Sequence, residues 1–244
     1  MRDPTLCGVI STGRYNEDVR LDRRISSDPQ PTYRAPPGLQ RLPAVLVADR
    51  ESPDRERLES FVQRGYSDAF GAHLRSHYPV IVGLMDAAFE VVAAAGIRFA
   101  SSEPLFLERY LGQPVEAALR PIYGDSIERR EIVEIGSFAA DGPARALEFF
   151  EVLAGLLSPA EGRLYGVATV TPRIGAMLRR SGFTLTQIAS ADPASVGDAA
   201  RDWGSYYESG PSVLAGEISM PDSVAHPRRR QSRACSVVAR REDQ

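Results

Sequence analysis

A chain of 244 residues, 43% of them hydrophobic and 25% charged, suits one globular domain of ordinary size with tails rather than two full domains. Its net charge of -3 gives no general reason for nucleic-acid binding, and none is expected. All 29 basic residues are arginine, which excludes a lysine Schiff base, a P-loop lysine and a lysine general base.

Residues 1–50 are rich in Pro, Ser, Arg and Asp and read as mostly disordered, with one short strand in AVLVAD. The ordered domain is expected over 51–219. It opens with the amphipathic helix SPDRERLESFVQRGYSDAFGAHL, with Ser52 as N-cap, Pro53 in the first turn and Leu58, Phe61, Val62, Tyr66, Ala69 and Phe70 on the apolar side. Arg55, Arg57 and Arg64 fall on its polar side. His73 and His77 stand four apart at its end, but HLRSH lacks the glutamate of a zincin motif, so a solvated helix end is expected and no metal.

PVIVGLMD and FEVVAAAGIRFA then read as an antiparallel hairpin. SEPLFLERYLGQPVEAALRPIYG changes period to two short helices, broken at Gln113-Pro114. Strand EIVEIGSFA, helix PARALEFFEVLAGLL, strand RLYGVATV, helix PRIGAMLRRSG and strand FTLTQIAS follow. After a polar segment holding Trp203, Tyr206 and Tyr207 comes the apolar run SVLAGEI. The order predicts a mixed α/β sheet, antiparallel in its first half and with crossover helices in its second.

Residues 220–244 form a basic tail containing Arg228, Arg229, Arg230, Arg233, Arg240 and Arg241. It reads as solvated and disordered, with peripheral contact to an anionic membrane or an acidic carrier protein as the alternative. Cys7 and Cys235 lie in opposite tails, so no disulfide framework or Cys-rich metal site is expected. The most apolar window, VIVGLMDAAFEVVAAAGI, is interrupted by Asp86 and Glu90. No transmembrane span is predicted, and the cytoplasm is the default location.

LFLERYLGQPVE, EIVEIGSFA and ADPASVGDAARDWGSYYESGPSVLAGEI together resemble the thermostable hemolysin family, over roughly Arg57 to Ile218. The last segment is the most specific, through its D-W-G-x-Y-Y string. The resemblance implies a GNAT-like acyl-CoA N-acyltransferase fold, similar also to acyl-homoserine-lactone synthases. It further implies that EIVEIGSFA splays from the next strand and exposes backbone to the pantetheine arm of an acyl thioester. Gly136, Ser137, Phe138 and Ala139 are then the donor-binding candidates, since small residues let backbone approach a ligand. The family commonly has asparagine and leucine where this chain has Ser137 and Phe138. AADGPARA lacks the Gly-x-Gly turn of acetyl-CoA users, so acyl-CoA and acyl carrier protein both stand as donor, with no tightly bound cofactor.

Glu134 has two readings. It is the base that takes a proton from an attacking amine, or a structural residue on one side of a strand whose other side carries Val133, Ile135 and Ser137. Tyr206 and Tyr207 are candidates to protonate a leaving thiolate, or else packed aromatics. Arg57, Glu108, Tyr110 and Trp203 are candidate substrate contacts, each with a surface or packing alternative. The functions in competition are acyl transfer to a small-molecule amine, a membrane-active haemolytic protein, and a non-catalytic acyl-thioester-binding module.

Overall fold

The computed structural model describes residues 9–11, 44–157 and 165–218. The predictions for Cys7, Cys235 and the basic tail lie outside these residues. The strands are β1 (Val9–Ser11), β2 (Ala44–Ala48), β3 (Val80–Met85), β4 (Val91–Phe99), β5 (Ile132–Ala140), β6 (Tyr165–Val170), β7 (Thr186–Ser190) and β8 (Ser212–Glu217). The helices are α1 (Arg55–Phe70), α2 (Glu108–Leu111), α3 (Val115–Tyr123), α4 (Pro143–Leu157) and α5 (Pro172–Arg180). A 3-10 helical segment, Pro193–Ser209, precedes β8.

All described strands join one sheet in the order β1-β2-β3-β4-β5-β6-β8-β7. Neighbours from β2 to β5 are antiparallel, β5 and β6 are parallel across the α4 crossover, and β8 returns antiparallel between β6 and β7. The expected hairpin is β3 and β4. The run AVLVA is more than an isolated strand: Val45 to Ala48 are buried, with β1 parallel on its outer side, a pairing that the sequence reading did not foresee.

Helix α1 starts at Arg55 with Asp54 as N-cap, two residues later than Ser52 and Pro53 imply. Ser52 instead closes the preceding turn, its hydroxyl donating to Asp49 Oδ1 at 2.8 Å and accepting from the Asp49 amide. The helix ends at Gly71 in the left-handed region, so His73 and His77 lie beyond it in irregular chain and share no helix face. Leu58, Phe61, Val62 and Tyr66 pack on one side of the sheet with Leu46, Ile81, Met85 and Ala94. The other side carries α4, whose Phe149 and Leu153 meet Val82, Leu84, Ala95 and Val133.

Two glycines on adjacent strands explain a buried aromatic. Gly96 and Gly136 are register partners, and a Cβ on either would strike Tyr78, at 2.4 Å from the ring for Gly96 and 2.0 Å from the hydroxyl for Gly136. Tyr78 therefore lies flat across the sheet in a slot that only glycine leaves. Gly136→Ala is expected to lower unfolding stability by about 1–3 kcal/mol through overpacking, measured as a shift of the urea midpoint at unchanged slope.

Candidate functional site

Strands β5 and β6 pair only through Ile132–Tyr165, Val133–Gly166 and Glu134–Val167. Beyond that point β5 continues to Ala140 paired with β4 alone, and β6 continues to Val170 paired with β8 alone. The sheet therefore opens in a wedge just past Glu134. On β5 the wedge carries a bulge: Gly96 pairs with Gly136 and Ala94 with Ala139, so Ser137 and Phe138 together oppose Ala95. Ser137 takes φ 47° there, uncommon for a residue with a side chain.

The bulge changes which side chains face the wedge. A period-two count puts Ser137 with Val133 and Ile135, but it turns instead to the side of Gly136. Phe138 goes the other way and stacks on Phe149 and Phe150 at centroid distances of 5.9 and 4.7 Å. Ala139 is covered by α1, since a Cβ on Gly65 would come within 2.8 Å of its own. Of the four predicted donor-binding residues, Gly136 and Ser137 line the wedge, and Phe138 and Ala139 pack their side chains elsewhere.

Glu134 is 1% exposed, and its carboxylate is the meeting point of four elements. It accepts the Tyr78 hydroxyl at 3.1 Å, the Phe106 amide at 2.8 Å and the Leu107 amide at 3.1 Å, with Arg98 Nη1 at 3.8 Å. Burial pushes its pKa up, against the Phe106 amide, Arg98 and the Tyr78 hydroxyl, which favour the charged form. Arg98 also lies over the Tyr78 ring, 4.8 Å from its centroid. Tyr78 is anchored from behind by Arg55, whose guanidinium donates to the carbonyls of Tyr78, Pro79 and Ala48.

Arg55, expected on the polar side of α1, is buried instead. Its spacing to Leu58, Val62 and Tyr66 puts it on the buried stripe, which was the available signal. Arg57, two residues on, is exposed and ties α1 to the β3–β4 turn through the Phe89 carbonyl and Glu90. Its predicted substrate contact is corrected to a surface brace, because helix geometry turns it away from the wedge.

Glu108 is likewise a brace. Its oxygens accept the Leu105 and Val115 amides and both terminal nitrogens of Arg129, joining α2 to α3 and to the chain before β5. Burial raises its pKa, but Arg129 and the two amides outweigh burial and hold it below the usual carboxylate value. It borders an open cleft of about 530 Å³, with Glu103, Glu116 and Arg129.

Over the wedge lies an aromatic cover. Trp203 contacts Tyr66 and Phe106 at 5.8 Å and Tyr206 at 5.4 Å between centroids. Tyr206 is buried and donates its hydroxyl to the Thr169 carbonyl on β6 at 3.1 Å. Tyr207 is half-buried, and its hydroxyl shares a 2.7 Å hydrogen bond with that of Tyr110. Burial pushes the pKa of Tyr206 up, with Tyr66 nearby adding to it, and burial also raises Tyr110 and Tyr207. The residual cavity beneath, bounded by Tyr78, Gly136, Ser137, Thr169 and Trp203, is about 20 Å³, room for about one water. The Thr169 hydroxyl oxygen is buried and has no hydrogen-bond partner among the described residues.

This geometry can be set beside known proteins. The thermostable hemolysin family profile matches residues 48–221. The chain belongs to the thermostable hemolysin family. No curated protein matches this hemolysin-family chain in sequence. Among solved structures, the acyl-homoserine-lactone (AHL) synthase LasI is similar at TM-score 0.51 and 14% identity, over 75% of this chain and 93% of that one. FeeM, an N-acyl amino acid synthase from uncultured soil microbes, aligns at TM-score 0.47 and 16% identity, over 72% and 89%. The CoA-dependent acyl-homoserine lactone synthase MesI aligns at 0.43 and 14%, over 72% and 89%. The hemolysin-family chain thus has a GNAT-like fold, the mixed sheet that the sequence resemblance implied. Among the described residues no helix is long and apolar enough to cross a membrane, and no group of three or more His, Cys, Asp or Glu is placed to hold a metal.

Two substitutions test the braces. Glu134→Ala strands two amides, a phenol and a guanidinium in the core, and is expected to cost about 3–5 kcal/mol in urea unfolding. For Glu108 the folded pKa is depressed, so its contribution is present above the unfolded value and is lost as pH falls through the folded one. The stability gap between wild type and Glu108→Gln should therefore be full at pH 7 and shrink steadily below about pH 4.5. Denaturation midpoints across pH 3–7 measure it.

Proposed function

We propose that the chain is an N-acyltransferase that moves an acyl group from an acyl-CoA or acyl-carrier-protein thioester to a small amine. The observation that carries this reading is the wedge: after Glu134 and Val167 the parallel ladder stops, and the facing edges of β5 and β6 are free of each other. A pantetheine arm is a chain of amides, and it can hydrogen-bond between two such edges as a short strand would. Soft constraints agree, since Gly136 and Ser137 offer little side-chain bulk on the wedge side.

In this reading the acceptor nitrogen attacks the thioester carbonyl carbon, the C–S bond breaks, and the departing sulfur takes the hydroxyl proton of Tyr207. That proton is replaced from the acylated nitrogen through the Tyr110 hydroxyl, so the net change is one proton moved from nitrogen to sulfur. Tyr207 suits the donor role better than Tyr206. Burial raises its pKa, but Tyr110 and the nearby Arg109 draw it back, whereas the Tyr206 hydroxyl is committed to the Thr169 carbonyl.

Glu134 is assigned to positioning rather than to proton transfer. Its carboxylate is occupied by Tyr78 and by the Phe106 and Leu107 amides, so it fixes the strap that carries Phe106 and Tyr110 against the wedge. Trp203 is assigned to covering the site.

The test is thiol release from acyl-CoA and acyl-carrier thioesters in the presence of amino acids and polyamines, with the acylated amine identified by mass. Release coupled to amide formation is expected, and kcat in Tyr207→Phe should fall about 10²-fold, the scale of a general-acid contribution. Absence of amide product with every donor, from folded protein, would refute the reading. A Glu134→Gln variant that abolishes the acidic limb of the pH–kcat/KM profile would return Glu134 to the role of base.

A further inference from the structure

The wedge is closed by the chain's own residues. Tyr206 places its hydroxyl on the Thr169 carbonyl, a group on the free edge of β6 that a donor amide would use, and the space left holds about one water. A pantetheine arm does not fit in the wedge while Tyr206 holds the Thr169 carbonyl. We propose that residues 198–209 are a self-inhibiting lid: donor binding displaces Tyr206 from Thr169, and the lid then reseats over the donor with Tyr207 returned to Tyr110 for the proton transfer. The proposal rests on the acyl-thioester reading of the site above.

The segment is bounded and interrupted by glycines with positive φ. Gly197 (φ 61°) and Gly210 (φ 66°) stand at its two ends in the left-handed region, and a Cβ on either would meet nothing within 4 Å. Glycine is therefore needed at these positions for backbone conformation and not for space, as at a hinge. Gly204 in the middle breaks the helix in the same way, at φ 55°, and a Cβ there would also come within 2.0 Å of the Phe70 carbonyl oxygen. It is the seat where the lid rests on the C-terminal end of α1.

The bonds that hold the lid shut are mostly single side-chain contacts. The Asp202 carbonyl accepts the His73 amide at 2.6 Å, and its carboxylate pairs with the exposed Arg75 at 3.0 Å. Ser205 donates to the Phe70 carbonyl at 3.3 Å, and Tyr207 meets Tyr110. None of these belongs to a strand ladder, so opening breaks no cooperative hydrogen-bonded array. The apolar hold is larger: Tyr206 is buried in the cluster of Leu58, Phe61, Val62 and Tyr66, with Phe70 at 5.2 Å, and Trp203 packs on Tyr66 and Phe106.

Trp203 is the chain's single tryptophan, so its fluorescence reports the lid without a label. The full-length protein is titrated with octanoyl-CoA and with pantetheine, reading binding heat and Trp203 emission together, for wild type and Tyr206→Phe. Hydrogen exchange of the unliganded wild type supplies a second measurement that needs no variant. Expected are binding heat with a red-shifted, more quenchable Trp203, and about fivefold tighter binding in Tyr206→Phe, the scale of one net hydrogen bond removed from the closed state. Amides of 198–209 should exchange while those of β5 stay protected. Binding with unchanged Trp203 emission, unchanged affinity in Tyr206→Phe, or lid amides as protected as β5 would overturn the lid and leave the acyltransferase reading standing. No binding of either ligand by either protein would remove the donor reading and the lid with it.

Discussion

The buried carboxylate of Glu134 is the constraint on which the rest of the site depends. A carboxylate removed from water is unstable unless donors replace its hydration, and here the donors come from three separate parts of the chain. Tyr78 arrives from the strand entry before β3, Phe106 and Leu107 from the strap before α2, and Arg98 from β4. Satisfying one anion thus fixes how the strap sits over the sheet. The same residue stands where the parallel ladder ends, since Glu134 and Val167 form its last pair.

The small residues of β5 follow from the same anion. The Tyr78 ring must cross the sheet to reach Glu134, and side chains on Gly96 or Gly136 would block its path. Gly136 is therefore required by packing, whatever else it offers a ligand. The bulge one residue later then rotates Ser137 onto the wedge side and sends Phe138 into the α4 core. One buried charge, one tyrosine and one extra residue together shape the opening.

Period and turn chemistry made the elements legible from sequence: the α1 stripe, the hairpin, and the alternation of strand and helix after β5 are local patterns. Glu134 was legible as an acid in a buried strand, but its partners were not. They lie 28 and 56 residues away, and no local spacing encodes that. The bulge was illegible for a related reason, since IGSFA reads as continuous alternation until β4 supplies the register. Arg55 and Arg57 were separable in principle. Arg55 stands three residues before Leu58 on the buried stripe, yet a charged side chain at a helix start reads as solvated until the carbonyls it caps are known.

A sheet split in this way leaves edge groups without ladder partners, and edges inside a protein are costly when unpaired. The chain satisfies them with phenols. The Thr169 carbonyl on β6 takes the Tyr206 hydroxyl, and on β5 the Phe138 amide lies against the buried Tyr66 hydroxyl, holding its pKa down against the larger upward push of burial. A strand in the same place would bind through a cooperative ladder and close the wedge permanently. A tyrosine makes one hydrogen bond at one point, which keeps the sheet stable while leaving the edge exchangeable. The aromatic richness of the 3-10 segment is thus the physical counterpart of the broken ladder: rings exclude water from the wedge, and hydroxyls stand in for the missing strand.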